Sequence, residues 1–281
     1  MRMCVLAMLI VSASAFAQVK IGAKAGYSIG KIADNSDNIY TEDFKSTEGV
    51  DFGVFAEFQV SELFSLQGEV LYTQRGGKRN GFQPIPVAPL ESALMQNGIS
   101  LATLNQIILA QGGQPITDSN PLYADFNNVS DLNYLEIPIL AKLGWGKDWR
   151  FYVELGPYVG FLLTADQKTS GESAFYLDAE GRNTLKVPNP FHDPQNPATG
   201  PPFVDLPPQS FDEVTDVKDD LNSVNFGFHT GAGLIRRLTE HHEIFLSFRG
   251  SYGLIPLQKD KVFGESHIGS LVFSFGYAYT L

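Results

Sequence analysis

The chain has 281 residues, with 20 Lys and Arg against 31 Asp and Glu, a formal net charge of −11 and one cysteine. That acidic balance, with no basic stripe to offset it, excludes nucleic acid as a partner class. The lone thiol, Cys4, excludes a disulfide and leaves the chain beyond its first residues without thiolate chemistry or cysteine-bound metal.

Residues 1–17 read as an export signal. Arg2 supplies a positive start, residues 5–11 an apolar run, and Ala15-Phe16-Ala17 a small-x-small cleavage site that would leave Gln18 first. The apolar run is shorter than the ~20 residues a spanning helix needs. No later segment is long and apolar enough to be one, so any span must be made of strands. A hydrophobic fraction of 43% and a mean hydropathy of −0.06 suit a water-soluble protein or a β-barrel in which only alternate strand residues meet lipid. The alternation has to decide.

Residues 19–28 alternate, with Val19, Ile21, Ala23, Ala25 and Tyr27 on one face and Lys20, Gly22, Lys24 and Gly26 on the other. A polar loop is expected over 30–47. Residues 48–60 place Val50, Phe52, Val54, Ala56 and Phe58 outward and Asp51, Phe55, Glu57 and Gln59 inward. A short turn at Ser61-Glu62 leads into a third strand, with Leu66, Val70 and Tyr72 outward and Ser65, Gln67, Glu69, Thr73 and Arg75 inward. Residues 76–130 have a different character and read as a long insertion. Pro84, Pro86 and Pro89 open it, and two helical stretches follow, the second with Ser100 as N-cap, Gly112 as stop and Leu101, Leu104, Ile107 and Ile108 as its apolar face.

Residues 132–164 form the clearest hairpin. Leu135, Ile137, Ile139, Ala141 and Leu143 share one face, with Tyr134, Glu136, Pro138, Leu140 and Lys142 opposite. On the returning strand Phe151, Val153, Leu155, Val159, Phe161 and Leu163 oppose Tyr152, Glu154, Gly156, Tyr158 and Gly160. Trp145 and Trp149 flank the turn, where a strand leaving a bilayer meets headgroups. Pro138 and Pro157 each remove a ladder donor, and bulges are expected there. A second insertion, 165–222, carries Pro188, Pro190, Pro194, Pro197, Pro201, Pro202, Pro207 and Pro208, and is expected to be an exposed loop without ladder pairing. Its acidic end, Asp212, Glu213, Asp216, Asp219 and Asp220, has no EF-hand spacing and reads as a solvated face. Three further strands follow, and the last places Leu271, Phe273, Phe275, Tyr277, Tyr279 and Leu281 on one face.

The expected fold is all-β: an eight-stranded antiparallel transmembrane β-barrel, one domain over 18–281, with short turns at Ser61, Gly146 and Glu240 beside the termini and long extracellular loops opposite, one containing short helices. Lys24, Glu57, Glu69, Arg75, Glu136, Lys142, Glu154 and Arg249 all fall on the less apolar face, which in a closed eight-stranded ring is the lumen. Acid and base balance there, so they form a candidate neutralising network filling an interior too narrow for a wide pore. The function read from this is an outer-membrane scaffold presenting loops to lipid, lipopolysaccharide or a protein partner. A narrow solute or proton channel is the alternative. A lipid hydrolase or acyltransferase would need His229 with Ser247 or Ser251, yet His229 faces the lumen and not the bilayer rim. His241 and His242 are adjacent and point apart, and His192 and His267 lie in loops without ligand spacing, so no metal or cofactor is expected.

The segments FSLQGEVLYTQRG, LNYLEIPILAKLGW, VELGPYVGFLL and FGFHTGAGL, with the closing aromatic strand, resemble the PorT-like outer-membrane β-barrel family. The likeness covers the strands and not the two insertions. Its most specific parts are Tyr134-Leu135-Glu136-Ile137-Pro138 and Gly156-Pro157. It implies an eight-stranded outer-membrane barrel and makes the two prolines a shared feature. It carries little function, the member that names the family being linked to type IX protein secretion.

Overall fold

The computed structural model describes residues 18–34, 38–96 and 98–281. The signal read at 1–17, Cys4 included, and loop residues Asn35 and Asp37 lie outside them. Among the described residues eleven strands and two α-helices follow in the order β1 (Val19–Asp34), β2 (Lys45–Gln59), β3 (Phe64–Ile85), α1 (Val87–Gln96), α2 (Leu101–Ala110), β4 (Leu122–Gly146), β5 (Trp149–Ser173), β6 (Lys186–Pro188), β7 (Phe203–Asp205), β8 (Gln209–Asp216), β9 (Val224–Arg237), β10 (His242–Gly253) and β11 (Ser266–Thr280). Eight of the strands close a ring in which all pairings are antiparallel: β1 to β5 pair in sequence, β5 pairs β9, β9 pairs β10, β10 pairs β11, and β11 returns to β1. Closure leaves no free edge in the ring.

Alternation sets the two faces. The odd residues of β11, Leu271, Phe273, Phe275 and Tyr277, are exposed, while Val272, Ser274 and Ala278 are buried. The same holds around the ring: Phe52, Val54, Leu66, Ile139, Leu155, Phe228 and Leu246 face outward. Trp145 and Trp149 are exposed at the β4–β5 turn, with the Arg236 guanidinium 5.0 Å from the Trp149 ring centre. No helix among the described residues is long and apolar enough to cross a membrane.

The expectations for both insertions are corrected. The insertion expected over 76–130 is smaller, because β3 continues to Ile85 and β4 begins at Leu122, the two pairing throughout that stretch. The loop expected over 165–222 is also partly sheet: β5 runs to Ser173, β8 pairs with it, and Pro188 sits in the β6–β7 pair. Proline removes one donor, and a strand with one partner can place that position at its unpaired edge. As a result β3, β4 and β5, of 22, 25 and 25 residues, stand above neighbours of 12 to 16. About ten extra residues at ~3.3 Å each give roughly 30 Å of strand beyond the ring.

On this extension α1 and α2 pack through Leu90, Leu104 and Ile108 against Ile116, Leu122 and Leu185, a second apolar core outside the ring. Ser100 caps α2 by accepting the Thr103 amide at 3.1 Å, and Gly112 follows at φ +80°. Leu101, Leu104 and Ile108 of the apolar face read from the sequence are thereby spent on internal packing.

The prolines do not make bulges. Register is unchanged from Gly68↔Ile139 to Leu71↔Glu136 and from Pro138↔Tyr158 to Ala141↔Leu155; pairs are simply missing between. The Leu162 amide bonds the Ser223 carbonyl at 2.8 Å, which turns the even residues of lower β5 toward β9 and the odd ones, Pro157 included, toward β4. By the same alternation Pro138 faces β3. Each absent donor thus lies at a gap in the ladder. In the β4–β5 ladder the bulge is elsewhere, where Asn133↔Thr164 gives way to Tyr134↔Leu162 and Leu163 is left over.

Candidate functional site

The inward residues of the ring build a charged interior. Lys24, Glu57, Glu69, Arg75, Glu136, Lys142, Glu154 and Arg249 are all buried. Arg249, on β10, reaches across the lumen and grips Glu69 of β3 with both terminal nitrogens, at 2.7 and 2.9 Å. Its Nε donates to Glu154 Oε1 at 2.7 Å, and Lys24 donates to Glu69 at 2.8 Å. Gln67 donates to Glu69 and accepts from Lys142 at 2.8 Å, while Lys142 also donates to Glu57 at 2.7 Å and lies 4.2 Å from the Tyr152 ring centre. Six of the eight residues therefore form one connected array spanning β1, β2, β3, β4, β5 and β10.

Arg75 and Glu136 stand apart. Arg75 Nη2 donates to Glu136 Oε2 at 2.8 Å, both side chains being fully enclosed. His229 Nε2 lies 3.2 Å from the same carboxylate oxygen without hydrogen-bond alignment, and its ring lies 4.5 Å from that of Tyr158. Around this pair Thr73, Tyr134 and Asn225 also carry buried polar atoms with no protein partner among the described residues. Atoms of this kind are ordinarily met by internal water.

Two pairing residues escaped the sequence reading as site members. Lys20 donates to Glu243 at 2.6 Å near the turn end. Lys20 shares the face of Lys24, and Glu243 that of Arg249, so the alternation held the signal; Glu243 lay hidden beside a turn.

An apolar layer caps the charged zone on the loop side, while on the terminus side apolar residues are set among the charges, Glu57 and Glu243 lying nearer the turns than Phe55 and Phe245. Phe55, Tyr152, Ile235, Phe245 and Ala278 cluster inside toward the termini, the Phe55 and Phe245 rings meeting edge to face at 5.6 Å. At the opposite end Ile32, Leu132, Tyr134, Leu162, Ala165 and Ile268 pack together with Leu257 folded in from the β10–β11 loop.

The remaining candidates are dispersed. Ser251 sits opposite His229 in the ladder, but its hydroxyl pairs with that of Ser270 at 2.8 Å, and Ser247 lies opposite Gly233. His241 Nδ1 contacts the Thr280 carbonyl at 3.0 Å whereas His242 Nδ1 contacts the Tyr277 hydroxyl. His192 and His267 are each engaged with a backbone carbonyl, at 2.8 and 3.0 Å. Among the described residues no group of three or more His, Cys, Asp or Glu is placed to hold a metal.

Charges enclosed and an apolar belt outside invert the arrangement of a water-soluble barrel and define the membrane-spanning class. Residues 15–259 match the family described as outer membrane protein beta-barrel domain, and the chain belongs to that family, which places it in the outer membrane. Similar solved structures include Ail, the attachment invasion locus protein of Yersinia pestis, in complex with the heparin analogue sucrose octasulfate, at 13% identity over 93% of this chain and 99% of that one, TM-score 0.32. Neisserial surface protein A matches at 11% identity over 93% and 97%, TM-score 0.37, and OprG from Pseudomonas aeruginosa at 8% over 94% and 96%, TM-score 0.38. No curated protein matches the sequence.

Proposed function

We propose that the protein is an outer-membrane scaffold: the ring anchors it, the ion-paired lumen holds the ring rigid and closed, and the extension beyond the ring presents a folded interaction surface outside the cell. One observation carries this reading. β3, β4 and β5 leave the ring as a continuous sheet with its own apolar core under α1 and α2, so what projects is built structure and not slack loop. The eight interior charges are read as structural, each ion-paired with another of the set, six of them in one array and Arg75 with Glu136. Export by cleavage after Ala17, contact with lipopolysaccharide, and an accessory role in protein secretion or envelope assembly, as the PorT-like resemblance implies, belong to the same proposal.

The channel alternative requires a continuous polar path, and the apolar layer on the loop side, above the ion-paired interior, argues against it. In planar bilayers the purified protein should give no stepwise conductance; steady ohmic steps would replace the scaffold with a pore. The hydrolase alternative predicts changed phospholipid and lipid A profiles on His229→Ala, and we expect none. For the scaffold itself, a photo-crosslinking residue at Phe191, which is 81% exposed on the projecting part, should capture a defined partner in native membranes. Absence of any adduct there and elsewhere on the extension would remove the reading.

A further inference from the structure

Among the described residues of the large sheet, β8 pairs along its whole length with a strand on one side alone, β5. The Val217 amide bonds the Ala165 carbonyl at 2.9 Å, just past the end of β8, and this fixes the phase of the ladder. Gln209, Phe211, Glu213 and Thr215 turn their backbone groups to β5. Ser210, Asp212, Val214 and Asp216 turn theirs away, and among the described residues none of these four makes a backbone-to-backbone bond outside the β5 pairing. All four are exposed, Val214 at 63%. Behind them the strand is held, since Phe211 stacks on Phe126 at 5.0 Å and meets Phe175 edge-on at 5.8 Å. The free edge is thus a fixed template of unpaired donors and acceptors.

Its side chains select what can pair. On the face carrying Val214, β8 presents Asp212 and Asp216 two residues to either side, and β5 adds Asp166 opposite Asp216 and Glu172 opposite Ser210. The cation on this face of β5, Lys168, is already engaged with Asp131 at 2.6 Å. A second copy of the chain is a poor occupant. Two β8 strands meeting antiparallel at Val214 would set Asp212 against Asp216, and in parallel each acid would face itself; like charges directly opposite destabilise a pair.

We infer that β8 is a strand-addition site for an extended segment of another protein, with an apolar residue opposite Val214 and Lys or Arg two residues to either side. Main-chain bonds supply affinity and the alternate acids supply selectivity. The inference rests on reading the extension as an interaction surface, and names its partner.

The probe is a fluorescent heptapeptide, Thr-Arg-Thr-Val-Thr-Arg-Thr, titrated onto the full chain in lipid nanodiscs. Saturable binding is expected. It should weaken at least about tenfold when alternate peptide amides are N-methylated, which keeps the charge and removes the donors. It should vanish when both Arg are replaced by Glu. Val214→Pro should weaken it similarly while leaving the β5 ladder intact, because the Val214 amide points away from β5. Asp212→Asn with Asp216→Asn, which removes the charges and keeps the Oδ1 that accepts the Lys218 amide, should cost several-fold. Equal binding by the N-methylated peptide, or by both protein variants, would overturn the inference and reduce the effect to diffuse charge attraction. No binding at all would also overturn it, as would disulfide-linked dimers of Val214→Cys, which would make a second copy the occupant. Peptide failure with partner adducts retained at Phe191 removes the strand-addition site alone; loss of both removes the scaffold reading as well.

Discussion

Arg75 and Glu136 show how a single pair governs the interior. Each is enclosed in the lumen, so removing one leaves the other without its ion partner, beside His229 and Tyr158. Breaking a buried pair from one side costs about 3–5 kcal/mol, whereas replacing both members by apolar groups is close to neutral. We therefore expect Arg75→Met to lower the urea midpoint of the detergent-solubilised protein sharply and Arg75→Met with Glu136→Leu to recover most of it, read by the mobility of unheated samples on SDS gels. Equal loss in both would mean that shape, not charge pairing, matters here. Outside the membrane, Asp178 accepts the amides of Glu180, Arg182 and Asn183 in its turn. The Arg182 amide foremost holds the carboxyl below the ordinary aspartate value of 3.8. A lowered folded value means that the turn gains order above the ordinary value and loses it as pH falls through the lowered one. Amide resonances of Arg182 and Asn183 should move together on acidification below about pH 4, and Asp178→Asn should give the same pattern at neutral pH.

Among the elements, the Gly156-Pro157 pair has a physical reading. Pro157 offers no donor to the Ile139 carbonyl, which leans over Gly156; a Cβ there would lie 1.9 Å from that oxygen. Gly156→Ala should therefore push β4 and β5 apart and cost about 1–3 kcal/mol, as overpacking does, visible as a lower urea midpoint and faster hydrogen exchange in 137–141. No change would show that the strands yield freely at this point. The membrane-height parts of the strands were legible in the sequence because lipid demands an apolar residue at every second position, as at Phe151, Val153 and Leu155. Beyond the ring that demand ends. GGKRNGFQPI in β3 and LYADFNNVSD in β4 face water on the outside, so their alternation fades, and Gly76, Gly77, Gly81 and Pro84 gave them the look of loop. β8 was hidden in the same way by the prolines before it. The inward set of charges was legible from parity alone. Which charge meets which was not, because Arg249 and Glu69 lie 180 residues apart and meet across the lumen, not along a ladder.

At the scale of the molecule, the charged interior carries an apolar layer on its loop side and a lower, aromatic layer of Phe55 and Phe245 set among its charges toward the termini. Removing the lower layer with Phe55→Ala and Phe245→Ala should leave the ring folded and admit water from the terminus side, detected as faster exchange of the amides around Phe55 and Phe245, still without ionic conductance while the Arg249 array stands. Conductance in that double variant would place the seal in the aromatic layer instead of the ion pairs.

A membrane-spanning ring depends on which side of the wall the charges occupy. Because Cys4 is the sole native cysteine, a variant with Cys4 replaced can carry single cysteines at 272, 273, 274 and 275 on β11, each bearing a nitroxide, in vesicles. Labels at 273 and 275 should be relaxed strongly by oxygen dissolved in the bilayer and labels at 272 and 274 should be shielded from it. The reverse alternation, or relaxation by water-soluble reagents at all four, would contradict a ring that keeps its ions in and its aromatics in lipid.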